Sequence, residues 1–303
     1  MKFNTANVAT LLCAMQNRKV LVLGDVILDR FIDGVVTRIS PEAPVPILSQ
    51  SRIRQMAGGA ANVACNLAQL GLHVHLIGVC GNDTAATDLE TEISAYPAIQ
   101  FDPVRIKDRP TSLKTRYRAG GQQILRVDDE ITTDIDDRDA KNALSLATAA
   151  LDDADLMVIS DYGKGALPLP LLGEIISKAK AKGKRIIADP KRKDVSAYAN
   201  VDLLTPNLKE LRAITAMQLS NIDEIGKAAT ALAKTHGFGS ILTTLSARGI
   251  ILSMPDGTQF HDPASAQEIF DVAGAGDTVV AMVAAAMAAG ADLEGAVKLA
   301  NHA

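Results

Sequence analysis

Short, uninterrupted apolar runs alternate along this chain with stretches of helical periodicity, and that alternation limits the fold more than any other feature. Lys19-Val-Leu-Val-Leu-Gly24, His73-Val-His-Leu-Ile-Gly78, Asp155-Leu-Met-Val-Ile-Ser160, Lys184-Arg-Ile-Ile-Ala-Asp189 and Ser240-Ile-Leu-Thr-Thr-Leu245 each lack a polar face. Such runs suit strands buried on both sides. Between them, Ala60–Leu70 and residues 137–152, 168–182 and 222–236 carry apolar residues at helical spacing. Strands alternating with helices imply βαβ units and a mostly parallel sheet covered on both faces. With 303 residues, 48% of them hydrophobic, the chain has enough apolar material for that core.

Two regions break the pattern. Residues 31–53 hold Val35, Val36 and Ile39, then Pro41, Pro44 and Pro46, then Ile47 and Leu48. Residues 111–127 mix polar and apolar positions around Gly120-Gly121. Prolines cannot donate to a central ladder, so these segments suit exposed strands. They are expected to pair in a small separate sheet, a lid that closes over a substrate and excludes water. No internal repeat, low-complexity tract or dividing linker interrupts residues 1–303, so one domain with an inserted lid is expected.

Composition excludes several function classes. The net charge is −4, without the basic excess of a nucleic-acid or anionic-membrane surface. Cys13, Cys65 and Cys80 are odd in number and form no Cys-x-x-Cys, which argues against a disulfide framework or structural zinc and fits a reducing cytoplasm. Cys65 lies on an apolar helical pattern and reads as packing. Residues 1–18 lack a secretory pattern. Val279–Ala289 is apolar but well short of the roughly 20 residues a bilayer requires, so it reads as a buried helix. His73 and His75 alternate on a strand with no third metal ligand in view.

The chemistry-bearing signal is Gly274-Ala275-Gly276-Asp277, followed by a helical pattern. Small residues let backbone N–H groups approach an anion, and a helix N-terminus adds partial positive charge. A carboxylate in that first turn could accept a proton from an attacking hydroxyl. The same residues would also suit a tightly packed helix start with no chemistry. A dinucleotide fingerprint fits poorly because its third glycine is missing, and no Gly-x-x-x-x-Gly-Lys-Ser/Thr is present. Asn207-Leu208-Lys209-Glu210 opens another helical pattern after Pro206. Asn207 and Glu210 share a face and could hold a hydrated magnesium ion, or could simply start the helix.

Taken jointly, the motifs resemble the ribokinase-like (PfkB) carbohydrate kinases. Gly58-Gly59-Ala-Ala-Asn62 matches the N-terminal signature, Asp271-Val-Ala-Gly-Ala-Gly-Asp277 the C-terminal one, and Asn207 with Glu210 the Asn-x-x-Glu motif. The resemblance spans nearly the whole chain. It implies a three-layer α/β/α fold with a mostly parallel central sheet and a small β lid, and ATP and Mg2+ as phosphoryl donor and metal. Asp277 would be the catalytic base and the amides of Gly274, Ala275 and Gly276 an anion hole. The Asn207–Glu210 turn would organise magnesium, with Asn207 and Glu210 acting through water. Thr244, Ser246 and Gly249 would line the ATP side. Asp25 or Asp29, with Gly58, Gly59 and Asn62, would meet the sugar. An exposed lid edge is prone to pairing, so a homodimer through residues 31–53 is expected.

Arg38-Ile-Ser-Pro-Glu-Ala-Pro-Val-Pro-Ile47 closely resembles the lid of the heptose 7-phosphate kinases of lipopolysaccharide core synthesis. Gly24–Asp29, Thr115–Arg126 (which includes Gln122) and Ser160–Gly165 support this. The resemblance implies transfer of the ATP γ-phosphate to the anomeric hydroxyl of D-glycero-β-D-manno-heptose 7-phosphate. A phosphorylated substrate needs cations; Arg116, Arg118, Arg126, Lys164, Lys191 and Arg192 lie in suitable segments, though each could be a solvated surface charge. Lys191 is expected near the substrate phosphate and Asp161 near the sugar. Where the family has Asp-Thr-Thr, this chain has Asp271-Val272-Ala273, which argues against ribokinase or fructokinase proper. Another sugar or sugar phosphate is the alternative substrate. A non-catalytic sensor on a kinase fold is a further alternative, disfavoured by the intact Gly274–Asp277 turn. Relatives usually continue past the position of Ala303, so a truncated chain or the kinase part of a longer protein is expected. No His-x-Gly-His nucleotidyltransferase motif is present.

Overall fold

The computed structural model describes residues 5–264 and 274–302. Nine strands form the principal sheet: β1 (Lys19–Gly24), β4 (His73–Cys80), β5 (Ile99–Arg105), β8 (Leu156–Ser160), β9 (Arg185–Asp189), β10 (Leu203–Leu204), β11 (Ile241–Thr244), β12 (Ile250–Ser253) and β13 (Gln259–Asp262). Their order is β13-β12-β11-β10-β9-β8-β1-β4-β5. Strands β11 to β5 in that order pair in parallel, whereas β12 and β13 pair antiparallel at one edge. The five strands expected from apolar runs are all present, within two residues at either end.

Helices cover both faces. Helices α1 (Thr5–Met15), α2 (Ala60–Gln69), α3 (Thr84–Ser94), α8 (Ala275–Ala288) and α9 (Leu293–Ala300) lie on one side. Helices α4 (Asp137–Asp153), α5 (Leu169–Ala181), α6 (Leu208–Thr215) and α7 (Ile222–His236) lie on the other. The strands show why their runs are apolar without a break. Val20 and Val22 enter the core under α2 and α8, while Leu21 and Leu23 enter the core under α4 and α5. Successive side chains point to opposite faces, and here both faces are interior. Val279–Ala289 lies largely within α8, whose Val280, Ala281 and Val283–Ala286 are almost fully buried.

The segments that interrupt the alternation form a second, four-stranded sheet of order β3-β2-β6-β7, from β2 (Val26–Ile39), β3 (Pro46–Gly59), β6 (Leu113–Ala119) and β7 (Gln122–Asp129). The first pair runs longer than the expected 31–53, because β2 starts within the apolar Val26-Ile-Leu28, and the second is shifted two residues from the expected 111–127. Register gives this sheet two distinct faces. Arg54, Phe31, Arg116 and Arg126 stand side by side across the four strands, as do Met56, Asp29, Lys114 and Asp128. The alternating row on the opposite face is Ile53, Ile32, Tyr117 and Leu125. One face therefore carries the charged rows, while the other has this apolar row beside a mixed one of Gln55, Arg30, Thr115 and Val127.

Candidate active site

Asp277 lies in the first turn of α8. Gly274, at φ 82°, occupies the cap, a left-handed conformation that glycine adopts without a Cβ penalty. The first amides of a helix have no intrahelical acceptor, so those at this turn remain available to an anion. Asp277 is only 4% exposed, yet both of its oxygens are engaged. Asn62 Nδ2, from α2, donates to Oδ2 at 2.7 Å, and the Tyr162 hydroxyl donates to Oδ1. Burial holds the Asp277 carboxyl above the usual carboxylate range; the Tyr162 and Asn62 hydrogen bonds oppose that, Asp29 reinforces it and Lys191 relieves it. The Asp271–Ala273 half of the motif lies outside the described residues.

Two cavities meet at Asp277. One, of about 190 Å³, is walled by Asp189, Lys191, Asn207, Glu210 and Thr244. The other, of about 310 Å³, lies under the charged face of the second sheet and is walled by Asp29, Phe31, Gly59, Asn62, Arg116 and Lys164 among others. Tyr162, Lys191, Gly274 and Asp277 line both. The smaller cavity lies at the carboxyl ends of β8, β9 and β11 and the larger one beyond those of β8 and β9, where open α/β sheets characteristically take ligands.

In the smaller cavity, Asn207 and Glu210 form a reciprocal cap on α6. The Glu210 amide donates to Asn207 Oδ1 and the Asn207 amide to Glu210 Oε2, each at 2.9 Å. The helix-start reading of this motif holds, and the same pair also faces the cavity. Glu210 Oε1 accepts from Lys191 Nζ at 2.5 Å, and that ammonium lies 5.3 Å from the Tyr162 ring centroid. Asp189, at the end of β9, is pushed up to about 7 by burial and then by the charge of Glu210. Thr244 lines the cavity, but Ser246 and Gly249 do not. Ser246 is exposed, and Gly249 closes the β11–β12 turn at φ 84°, where a Cβ would lie 2.0 Å from the Asp262 carbonyl. Leu208 packs against the α4–α7 core and Lys209 is exposed, so neither lines the cavity.

Around the larger cavity, Asp25 and Asp29 differ in burial and in what they face. Asp25 is 2% exposed and accepts backbone N–H groups from Tyr162 (2.7 Å), Lys164 (3.1 Å) and Ala166 (3.1 Å). It anchors a loop instead of lining a cavity. Asp29 does line the larger cavity and pairs with Arg116. Gly59 lines it too, while Gly58 packs beneath: a Cβ there would lie 2.3 Å from Asp29 Oδ2. Asp161 stands apart from both cavities. It is 1% exposed and accepts from Gly163 N at 2.7 Å, Arg192 Nε at 2.8 Å and the Tyr198 hydroxyl. Arg192 is thereby drawn into this buried network, and Arg118 pairs with Asp33 at 2.7 Å. Gln122 is exposed at the β6–β7 turn, away from the cavity, because that turn projects beyond the sheet's charged rows.

Lys114, Arg116, Arg126, Lys164 and Lys191 all line the larger cavity. Glu130 ties two of them together, accepting from Lys114 Nζ at 2.7 Å and from Lys164 Nζ. Lys114, Glu130 and Tyr162 carry no sequence motif that assigns them a role, whereas Asp189 ends the apolar run just before Lys191. The Ser160–Gly165 stretch at a strand's carboxyl end was the available signal for Tyr162. The others depend on which strand lies beside which.

A mostly parallel α/β sheet, a glycine-capped helix presenting a buried carboxylate, and two cavities meeting at that carboxylate are the features of a carbohydrate kinase of the ribokinase-like class. The family model for pfkB family carbohydrate kinases matches residues 17–303, and the chain belongs to that family. It is 41% identical over 294 residues to the bifunctional protein HldE of Azorhizobium caulinodans, covering 97% of this chain and 61% of that protein. It is 42% identical over 287 residues to HldE of Paramagnetospirillum magneticum, covering 95% and 59%. The chain thus spans about three fifths of the length of these curated relatives. Among solved structures, Escherichia coli phosphofructokinase-2, in a tetrameric inhibited form, superposes with a TM-score of 0.78 at 23% identity, covering 94% of this chain and 92% of that one. Arabidopsis thaliana ribokinase complexed with ribose and ATP gives 0.73 at 20%, covering 94% and 90%.

Proposed function

We propose that this chain is a heptose 7-phosphate kinase, transferring the ATP γ-phosphate to the anomeric hydroxyl of D-glycero-β-D-manno-heptose 7-phosphate to give the 1,7-bisphosphate. The observation that carries this reading is the cationic wall of the sugar-side cavity. Lys114, Arg116, Arg126, Lys164 and Lys191 line about 310 Å³; each is paired with a carboxylate here, and a substrate phosphate would give this cluster a further acceptor that an unphosphorylated sugar lacks. The HldE relatives and the resemblance of the proline-rich 38–47 segment support the heptose.

In this reading Asp277 takes the proton of the sugar hydroxyl as the hydroxyl oxygen attacks the γ-phosphorus and the bond to the β-phosphate oxygen breaks, releasing ADP. Each carboxylate oxygen has lone-pair capacity beyond the single bond it now accepts. The Gly274–Gly276 amides stabilise charge on the transferred group. Lys191, at the meeting of the two cavities, brings a cation to the same point. Magnesium fits as a hydrated ion beside Glu210, Asn207 and Asp189, where it would neutralise phosphate charge. Among the described residues no group of three or more His, Cys, Asp or Glu is arranged as a protein-only metal cage, and Mg2+ commonly takes only one or two carboxylates along with substrate phosphates.

We read residues 1–303 as one kinase unit with the four-stranded sheet as its lid, acting in the cytoplasm. No helix among the described residues is long and apolar enough to cross a membrane. The lid's outer row includes Ile53 and Leu125, which are 51% and 54% exposed, and a second lid is the proposed cover. A monomer by light scattering at micromolar concentration would count against that dimer. The test of function is ADP release with ATP, magnesium and a substrate panel. Turnover of heptose 7-phosphate is expected; turnover of ribose or fructose 6-phosphate without it would reject the assignment.

A further inference from the structure

The Ser160–Gly165 loop supplies Lys164 to the cationic wall and is itself firmly anchored near Asp277. The buried Asp25 carboxylate gathers its amides at positions 162, 164 and 166. Gly163 and Gly165 sit at φ 65° and 80°, and a Cβ on Gly165 would lie 2.0 Å from the Thr133 carbonyl. The consequence of this anchoring is the placement of one side chain. Tyr162 reaches across to Asp277, separated from it by 115 positions in sequence, and its ring forms part of the wall of both cavities.

We propose that Tyr162 is a positioning residue for Asp277: its hydroxyl fixes the carboxylate's rotation and leaves the remaining lone pairs turned toward the hydroxyl to be phosphorylated. This rests on the assignment of Asp277 as base. Asn62 alone could hold Oδ2 while the carboxylate swung about that contact; two donors on two oxygens, from α2 and from the 160–165 loop, remove the swing. Tyr162 can only donate here. Burial and the neighbouring Asp277 charge push its own ionisation far up, so it stays protonated throughout the working range. Donation to a carboxylate favours the ionised form, which is the form a base needs. Asp29 from β2, Asp189 at the end of β9 and Lys191 just beyond it act on Asp277, and Lys114, Arg116, Arg126 and Lys164 face the same cavity.

The test is Tyr162→Phe, which keeps the ring and its packing, beside Asp277→Asn, each assayed for kcat and kcat/KM from pH 5 to 9. For Tyr162→Phe the expected result is a kcat lower by roughly ten- to a hundredfold. The acidic limb of kcat/KM should also move up by about one pH unit, as expected when a carboxylate loses a hydrogen-bond donor. An unchanged kcat, or a lowered kcat with an unmoved acidic limb, overturns the proposal, since simple packing loss leaves the limb in place. Asp277→Asn separates the two claims. If it stays active, the base assignment itself fails; if it is inactive while Tyr162→Phe behaves like wild type, only the role of Tyr162 fails.

Discussion

Replacing Asp277 by Asn tests the centre of the proposed mechanism with almost no change of shape. General-base removal lowers rate by about 10² to 10⁴, or roughly 3–5 kcal/mol in the barrier at about 1.4 kcal/mol per tenfold. The structure argues for the upper part of that range. The other carboxylate on the sugar-side wall close to this turn, Asp29, is already held by Arg116 and is a poor substitute base. Nucleotide affinity should change by less than about twofold, because the anion-binding amides belong to the Gly274–Gly276 backbone and not to the side chain. Stability should move in the opposite direction from activity. The Asp277 carboxyl is raised by burial, so its contribution to stability is full at acid pH and is lost as pH rises through its folded value. An Asn has no such loss. It keeps the Tyr162 hydrogen bond through its oxygen, and Asn62 can turn its amide to accept from the new Nδ2. The variant's Tm at pH 8 should equal or exceed wild type, and the difference should shrink toward pH 4. The assays are coupled ADP release, nucleotide titration by calorimetry and thermal unfolding at the two pH values. A variant that folds, binds nucleotide and retains more than a tenth of wild-type kcat would refute Asp277 as the base.

Lys191→Met removes the ammonium shared by both cavities and should lower kcat by about 10², measured by steady-state kinetics with each substrate varied; an unchanged kcat would make Lys191 a mere partner of Glu210. Asp189, raised to about 7 by burial and Glu210, makes the fold lose stability as pH rises from about 4 through 7. Asp189→Asn should therefore flatten the fall in Tm between pH 5 and pH 8. Gly59→Ala should destabilise by more than about 1 kcal/mol, since position 59 has φ 57° and a Cβ there would lie 2.4 Å from the Asp25 carbonyl; a denaturant melt with an unshifted midpoint would refute this.

Much of the architecture was legible before any coordinates. The unbroken apolar runs marked strands covered on both sides, and the residue 137–152, 168–182 and 222–236 patterns found their helices, because period and turn chemistry are written into neighbouring residues. Four strands of the principal sheet, β5, β10, β12 and β13, have no such run among those expected: β10 is two residues long, and β5 and β13 mix polar with apolar positions. Local sequence also located the Gly274–Asp277 turn and the Asn207–Glu210 start, and the structure has each of them facing a cavity.

What local pattern could not decide was which of two similar residues turns toward the ligand space. Asp25 and Asp29 sit four residues apart; one disappears beneath a loop and the other meets Arg116. Asp161 and Tyr162 are adjacent, yet Asp161 binds Arg192 behind the sheet's end while Tyr162 reaches Asp277. These outcomes depend on strand order, since β8 lies between β1 and β9. Sequence by itself determined which elements form and where an anion and a carboxylate could coincide. Only the tertiary structure decided what surrounds that carboxylate, because partners more than a hundred residues away are brought in by packing, and packing leaves no period in the chain.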